Sequence, residues 1–182
     1  MRINKKAVIL KDGRCALLRC AEVSDAKALN ECFDKTKTQT KYISMSPDDT
    51  TSLAEQEERI QRYLDSEREV LLIAEIDGQI AGSCTFGNRR PLQRTAHRAS
   101  IGIALEESYT NAGLGSEMML YAIETCKNMG FERLELGYIM GNERAYKVYR
   151  RLGFKETGRI PMCFKYEDWT YADEVLMSMS LV

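Results

Sequence analysis

The chain has 182 residues, a formal net charge of −1 and 44% hydrophobic residues, which is an ordinary composition for a globular protein. Its one histidine and six cysteines without a Cys-x-x-Cys pair argue against a zinc site, so we expect no metal. The near-neutral charge does not favour nucleic acid as a partner. No apolar stretch approaches the roughly 18 residues of a membrane span. We expect one domain over residues 1–182, in a reducing cytoplasm, with its cysteines buried as small hydrophobic residues.

The first half of the chain predicts two hairpins and two helices. Asp12-Gly13 and Asp77-Gly78 each separate two apolar runs, as hairpin turns do. Ser24 predicts the cap of a first helix that carries Leu29 and Phe33, and helical spacing predicts a second helix. The predicted strands cover residues 7–10, 15–19, 70–76 and 79–86, the second helix covers 53–64, and polar loops cover 35–51 and 88–92.

The second half alternates strands and helices. The predicted strands cover residues 99–105, 134–138, 154 onward and 173–181, and the predicted helices cover 114–129 and 145–152. A strand-helix-strand order implies at least one parallel crossover, whereas the earlier hairpins imply antiparallel pairs. The sequence therefore predicts an α/β (α+β) fold, with a mixed, mostly antiparallel sheet and helices on both faces.

A glycine-containing loop at residues 110–116 joins a buried strand to a long helix. The first turn of a helix has free amides and a partial positive charge, and Gly113 and Gly115 let an anion approach the backbone closely. The loop therefore predicts a pyrophosphate cradle, although an ordinary strand-to-helix turn would look similar. It lacks the Lys-Ser/Thr of a P-loop and the third glycine of the dinucleotide fingerprint.

A second segment, at residues 141–154, opens with Asn142 and contains Tyr149. The Asn142 side chain can cap the following helix or reach a ligand amide. Tyr149 can serve chemistry, or it can be a core aromatic residue whose hydroxyl bonds to the backbone.

The two segments, in this order, resemble the GNAT superfamily of N-acetyltransferases. Thr110–Gly115 is similar to its loop Gln/Arg-x-x-Gly-x-Gly/Ala, and 142–154 is similar to its segment Asn-x-x-Ala-x-x-x-Tyr-x-x-x-Gly-Phe. The element order from Cys15 to the C-terminus is also similar, and 166–177 resembles the closing hairpin of some members. Thr110 departs from the family's Gln or Arg, which Arg144 or Lys147 could offset.

The resemblance implies that the two central parallel strands splay apart and that acetyl-CoA, the co-substrate, lies in the gap. Transfer to a primary amine would then proceed by direct attack in a ternary complex, with Tyr149 near the sulfur as general acid. Strand backbone would bind the pantetheine arm, and loop amides would hold the pyrophosphate. The implied cofactor-binding residues are Ile103, Ala104, Leu105, Asn111, Ala112, Gly113, Leu114, Gly115, Ser116, Asn142, Tyr146 and Tyr149.

An amine must lose a proton before it attacks, which calls for a base or a desolvated site. Glu106 is the proposed catalytic carboxylate, with Glu107 beside it, although both can equally be solvated loop residues. Glu75 and Tyr138 are weaker candidates.

The acceptor is left open between a protein N-terminal or lysine amine and a small amine such as a polyamine or aminoglycoside. The family places acceptor groups in segments that correspond here to 36–50 and 162–172. Three carboxylates at the final hairpin would suit a cationic acceptor, namely Glu167, Asp168 and Asp173.

Two other classes of function compete with an enzyme. One is a non-catalytic acyl-CoA sensor or scaffold on the same fold. The other is an RNA-associated protein using the arginines Arg89, Arg90, Arg94 and Arg98, which the net charge disfavours. A homodimer is compatible with the resemblance and is left open.

Overall fold

The computed structural model describes residues 3–88 and 92–182, so Arg89 and Arg90 of the predicted basic loop lie outside it. Eight strands form one sheet in the order β1-β2-β3-β4-β5-β6-β8-β7. Their bounds are β1 Lys6–Ile9, β2 Cys15–Cys20, β3 Glu69–Ile76, β4 Gln79–Gly87, β5 Arg98–Leu105, β6 Arg133–Ile139, β7 Lys155–Lys165 and β8 Tyr171–Ser180.

Neighbouring strands pair antiparallel everywhere except between β5 and β6, which run parallel. The predicted hairpin turns are confirmed: Gly13 has φ 86°, and Asp77 and Gly78 have φ 51° and 75°. At the second turn, positive φ at both central residues matches the right-handed twist of the flanking strands, whereas at the first turn Gly13 has a positive φ and Asp12 does not. The predicted mixed, mostly antiparallel sheet is therefore confirmed.

In the described part of the chain, four helices cover the two faces of the sheet, namely α1 Ala26–Gln39, α2 Leu53–Asp65, α3 Leu114–Asn128 and α4 Glu143–Arg151. Leu29 of α1 and Ile60 of α2 pack with Leu71 and Ile73 of β3 in one apolar cluster. Because alternate residues of a strand face opposite sides, Val70 and Leu72 join a second, larger cluster with α3 and α4, on the other face. Helices on both faces are thus confirmed.

The start of α1 differs from the expectation that Ser24 caps it. Ser24 lies inside a short 3-10 turn, Val23–Asp25, and the α-helix begins only at Ala26. The Asp25 carboxylate explains the turn, since it accepts the Glu22 amide at 2.7 Å and both terminal nitrogens of the Arg19 guanidinium at 2.6 and 2.9 Å. Asp25, and not Ser24, therefore organises this end of the helix.

The predicted loop from residue 35 is also wrong at its start, because α1 continues to Gln39. Two threonines in the predicted loop instead form hydrogen bonds to the preceding turn of the helix. The Thr36 hydroxyl donates to the Cys32 carbonyl at 2.8 Å, and the Thr38 hydroxyl donates to the Lys35 carbonyl at 2.8 Å. Lys37 is buried and forms an ion pair with Asp34 at 2.7 Å. Local hydrogen bonds and an ion pair between the buried Lys37 and the exposed Asp34 thus accompany the helix through a polar stretch.

The expectation of buried cysteines holds for Cys32, Cys84 and Cys126, and fails for Cys15 and Cys163, which are exposed. Burial raises the pKa of the Cys32 thiol to about 11 and that of Cys126 to about 12, so both stay protonated. Within the described residues, no helix is both long and apolar enough to cross a membrane.

Candidate active site

The site begins where β5 and β6 part. The two strands pair at only three positions, Arg98 with Arg133, Ala99 with Leu134, and Ser100 with Glu135. Beyond them β5 continues along β4 as far as Leu105, and β6 continues along β8 to Ile139. The sheet therefore opens into a gap whose two walls carry backbone groups that no neighbouring strand uses, and the predicted splay is confirmed.

A cleft of about 910 Å³ occupies this gap. Nine of the residues predicted to bind the cofactor line it: Ile103, Ala104, Leu105, Asn111, Gly113, Gly115, Ser116, Asn142 and Tyr149. The side chains of Ala112 and Leu114 are buried instead in the core, and the Tyr146 ring packs against Tyr138 at 6.2 Å. The cleft thus unites most of the predicted set, drawn from β5, the loop before α3, and α4.

The loop before α3 presents free backbone amides to the cleft. Gly113, with φ 93°, is the residue before the helix, and no side chain caps the first turn. The first amide that bonds back is that of Glu117, to the Gly113 carbonyl at 3.1 Å. A Cβ on Gly115 would lie 3.2 Å from Leu105 Cδ1, a tight contact that glycine avoids where the helix approaches the strand. The geometry favours an anion at this end of the cleft.

Basic side chains surround the same end. Lys11, Lys147, Arg144 and Arg151 all line the cleft. Arg144 donates to the Thr110 hydroxyl at 3.1 Å, and Arg151 donates to the Ser116 hydroxyl at 2.9 Å. The loop position that lacks the family's Gln or Arg is therefore supplied with a guanidinium from α4, as the sequence suggested for Arg144.

Tyr149 of α4 lies at the wall of the cleft with its ring enclosed. Its exposed fraction is 8%, and the ring centroids of Tyr138 and Phe154 lie 6.0 and 6.1 Å away. Burial raises the pKa of the phenol to about 12. No described residue forms a hydrogen bond with its hydroxyl, so the alternative of a core tyrosine tied to the backbone has no support here.

Asn142 caps α4, as predicted. Its side-chain oxygen accepts the Ala145 amide at 3.1 Å, which leaves the side-chain NH2 group on the cleft side as a potential donor.

Glu106 is directed away from the cleft. Its carboxylate forms an ion pair with Lys35 at 3.3 Å and accepts the Ser108 hydroxyl at 3.0 Å, and it does not line the cleft. Glu75 likewise pairs with Arg19 at 2.8 Å. The prediction that Glu106 takes the amine proton stays a prediction, and these contacts do not favour it.

The sequence analysis missed a carboxylate that does line the cleft, Glu174 of β8. It lies over Gly137 of β6, because a Cβ on Gly137 would fall 2.0 Å from Glu174 Oε1. The exposed Cys163 thiol donates to its other oxygen at 3.6 Å. Only the pairing of β6 with β8 brings Gly137 and Glu174 together, so local patterns carry no signal for it.

The three carboxylates that the sequence suggested for a cationic acceptor have other partners. Asp173 pairs with Arg159 at 2.6 Å, Glu167 accepts the Ser46 hydroxyl at 2.9 Å, and Asp168 accepts the Thr170 amide at 3.0 Å. None of the three lines the cleft. The three carboxylates therefore bond within the final hairpin or, in the case of Glu167, to Ser46 of the α1–α2 segment.

The other half of the cleft is formed by α1, α2 and the segment between them. Its lining residues include Phe33, Thr36, Thr40, Tyr42, Ile43, Ser44, Met45 and Arg59, and Phe164 joins them from β7. The Tyr166 hydroxyl donates to the Lys41 carbonyl at 3.1 Å, and Ser46 bonds Glu167. These contacts hold the α1–α2 segment against the final hairpin and bound this half of the cleft. In the described parts of the chain, no group of three or more His, Cys, Asp or Glu side chains could hold a metal ion.

Comparison with known proteins agrees with this geometry. The chain is 37% identical over 89 residues to the L-amino acid N-acetyltransferase AaaT of Escherichia coli, covering 48% of this chain and 54% of that protein. It is 23% identical over 92 residues to an L-methionine sulfoximine/L-methionine sulfone acetyltransferase of Pseudomonas aeruginosa, covering 50% and 54%. The chain therefore aligns with about half the length of these curated relatives.

Solved structures match over the whole fold. A GNAT-family acetyltransferase from Streptococcus pneumoniae superimposes with a TM-score of 0.85 at 27% identity, covering 91% of this chain and 99% of that one. The structure of yncA from Salmonella typhimurium with its cofactor acetyl-CoA gives 0.80 at 18% identity, covering 99% and 95%, and shows a shared fold. The sequence model of the acetyltransferase (GNAT) family matches residues 31–154, which is more than half of the chain, and the chain therefore belongs to the GNAT acetyltransferase family.

Proposed function

We propose that this chain transfers the acetyl group of acetyl-CoA to the primary amine of a small acceptor, by direct attack within a ternary complex. The observation that carries the proposal is the gap between β5 and β6, which has free helix amides at one end and Tyr149 in its wall. Two structures of the same fold support acetyl-CoA as the co-substrate, since they contain it: yncA from Salmonella typhimurium and a phosphinothricin acetyltransferase from Sinorhizobium meliloti.

The residues present fit acetyl-CoA along the cleft. Backbone groups of Ile103, Ala104 and Leu105 face a gap that an extended pantetheine arm can enter as a strand would. The amides of Asn111 and of residues 113–116 suit the pyrophosphate, whereas the Ala112 amide donates to the Thr110 carbonyl at 2.8 Å. The basic side chains of Arg144 and Arg151 add positive charge beside them. Asn142 offers its side-chain NH2 group to an amide carbonyl of the arm.

In the proposed reaction the amine nitrogen bonds to the acetyl carbon and the carbon–sulfur bond breaks. The electron pair leaves with the sulfur as a thiolate, and the amine loses a proton. Tyr149, whose pKa is raised to about 12, stays protonated and donates a hydrogen bond to the developing thiolate. Complete transfer of the Tyr149 proton to a thiolate whose conjugate thiol has a pKa near 8.5 would be uphill by roughly 5 kcal/mol. Tyr149 therefore stabilises the charge, and the proton that finally reaches sulfur comes from the amine by relay.

We propose Glu174 as the group that receives the amine proton. Its carboxylate lies in the splayed gap over Gly137, whereas Glu106 is occupied by Lys35 and Ser108. A carboxylate there also attracts the protonated amine before reaction, which raises its local concentration.

A small acceptor is favoured over a protein tail because the contacts of Tyr166 and Ser46 close the α1–α2 segment against the final hairpin. The names of the curated relatives support the same choice, since both are called acetyltransferases of amino acids or their analogues.

The test is free-thiol release from acetyl-CoA with a panel of amines: L-amino acids, the same compounds without the carboxylate, polyamines, an aminoglycoside and peptides with free N-termini. Release with at least one small amine supports the proposal. Thiol release with peptides and with no small amine would mean that the acceptor is a protein amine and not a small molecule. Binding of acetyl-CoA by calorimetry without release from any amine would favour a non-catalytic acyl-CoA sensor and overturn the proposal.

A further inference from the structure

Arg59 of α2 stands out among the charged residues of the cleft. Its side chain is half-buried and lines the cleft, and its guanidinium carbon lies 5.4 Å from the centroid of the Phe33 ring. Within residues 3–88 and 92–182, Arg59 makes no ion pair and no side-chain hydrogen bond. Five other arginines do form ion pairs there, namely Arg14, Arg19, Arg98, Arg133 and Arg159.

Glu55, which lies four residues before Arg59 on α2, bonds to Ser52 at the start of the helix and forms no ion pair with Arg59. The cleft lining near it consists of apolar and hydroxyl side chains, including Phe33, Thr36 and Met45. The acidic residues of the lining are Glu143 and Glu174. Glu174 comes from β8, beyond the gap, whereas α2 packs on the β3 side of it. Apart from the basic residues beside the loop before α3, the cleft thus has the Arg59 cation on the α2 side and the Glu174 carboxylate on the β8 side.

A guanidinium that is partly withdrawn from water and held over an aromatic ring has lost hydration without gaining a partner. Its planar fork matches a carboxylate, with which it forms two parallel hydrogen bonds. Stacking on Phe33 restricts its rotamers, so little further ordering is needed when a ligand arrives. The chemistry that fits is therefore an anionic, planar group on the acceptor.

We propose that Arg59 binds the carboxylate of the acceptor, so that the acceptor is an amino acid with an apolar side chain. This inference rests on the proposed function and narrows it. Polyamines and aminoglycosides carry only positive charge and would be repelled by Arg59. A protein N-terminus has no carboxylate beside its amine and leaves Arg59 unpaired. Phe33, Ile43, Met45 and Phe164 provide the apolar surface for the side chain.

The test compares phenylalanine with 2-phenylethylamine, which lacks only the carboxylate, in the wild type and in Arg59→Gln. We expect Arg59→Gln to lower kcat/KM for phenylalanine by about 10- to 100-fold, mainly through KM, and to leave 2-phenylethylamine within about twofold. Arg62→Gln is the matched control, because Arg62 lies one turn further along α2, stacks on Tyr63 at 4.7 Å and does not line the cleft. Arg62→Gln should leave kcat/KM unchanged for both substrates.

Unchanged acetyl-CoA affinity of Arg59→Gln, measured by calorimetry, shows that the variant is folded. Equal losses with both substrates would overturn the role of Arg59, as would a wild type that acetylates 2-phenylethylamine as well as phenylalanine. Thiol release with polyamines but with no amino acid would also overturn this inference and leave the proposed function standing. Absence of release with every amine would instead remove the proposed function itself.

Discussion

Tyr149 and Glu174 show how single residues of the cleft acquire their properties. The phenol is enclosed by Tyr138 and Phe154, and this burial keeps it neutral. Tyr149 followed from the family resemblance, through its spacing from Asn142, and it lies in the wall of the cleft. Glu174 and Arg59 could not be predicted from the sequence, since each is defined by a contact between elements far apart in the chain. The sequence instead suggested Asp173, the neighbour of Glu174, whose side chain bonds to Arg159.

Replacing Tyr149 by phenylalanine removes the hydroxyl and keeps the ring that fills the core. We expect kcat for thiol release to fall by about 100-fold, with acetyl-CoA affinity unchanged, since losing one preorganised hydrogen-bond donor to a developing anion costs about 10²–10³-fold in kcat. The donor form exists below the pKa of about 12, so the wild-type rate should show no loss from tyrosine ionisation up to about pH 10. An unchanged kcat in the variant would remove Tyr149 from the mechanism.

At the scale of elements, the start of α3 and the start of α4 meet at one end of the cleft. Arg144 of α4 bonds to Thr110, and Arg151 of α4 bonds to Ser116. Strand and helix positions could largely be predicted because apolar periodicity and glycine turns are local signals. The beginning and end of α1 could not, because Asp25, Thr36 and Lys37 act through specific side-chain bonds that composition alone assigns to loops.

Arg144→Gln should weaken acetyl-CoA binding by about 3- to 10-fold, because it removes one exposed positive charge and one donor beside the loop. The effect should shrink as salt is raised, since exposed charges are screened. Arg150→Gln is the control: it lies on the same helix and is exposed, and it does not line the cleft. Isothermal titration calorimetry at two salt concentrations measures the acetyl-CoA affinity of both variants and its dependence on salt. Equal losses in the two variants would mean that only net charge matters at this site.

At the scale of the molecule, the sheet consists of two parts, β1 to β5 and β6, β8 and β7, which three residue pairs between β5 and β6 join. The apolar cluster on the α3 face spans both parts, from Met118 of α3 to Leu134 of β6 and Met177 of β8. Side-chain packing, more than backbone pairing, therefore fixes the width of the gap. Sequence patterns predict the strands, whereas the place where two of them separate followed only from the family resemblance.

Acetyl-CoA in the gap should slow amide hydrogen exchange on both walls. In a strand, alternate amides point to opposite neighbours, so about half of those in residues 101–105 and 136–139 lack a strand partner on the gap side. We expect added protection in peptides covering these two stretches, and no change in β1 and β2. Mass spectrometry of the exchanged protein, with and without saturating acetyl-CoA, measures this. Protection confined to residues 111–116 would place the pantetheine arm outside the gap.

The parting of β5 and β6 also gives the sheet four edges instead of two. The outer edges have features that hinder pairing with a strand of another chain. β1 is only four residues long, and β7 contains Pro161 and two register shifts. The inner edge of β5, Ile-Gly-Ile-Ala-Leu at 101–105, has neither proline nor charge and is the kind of stretch that joins intermolecular sheets. A proline or a charged residue there would obstruct the proposed cofactor path, and all five residues of this segment line the cleft.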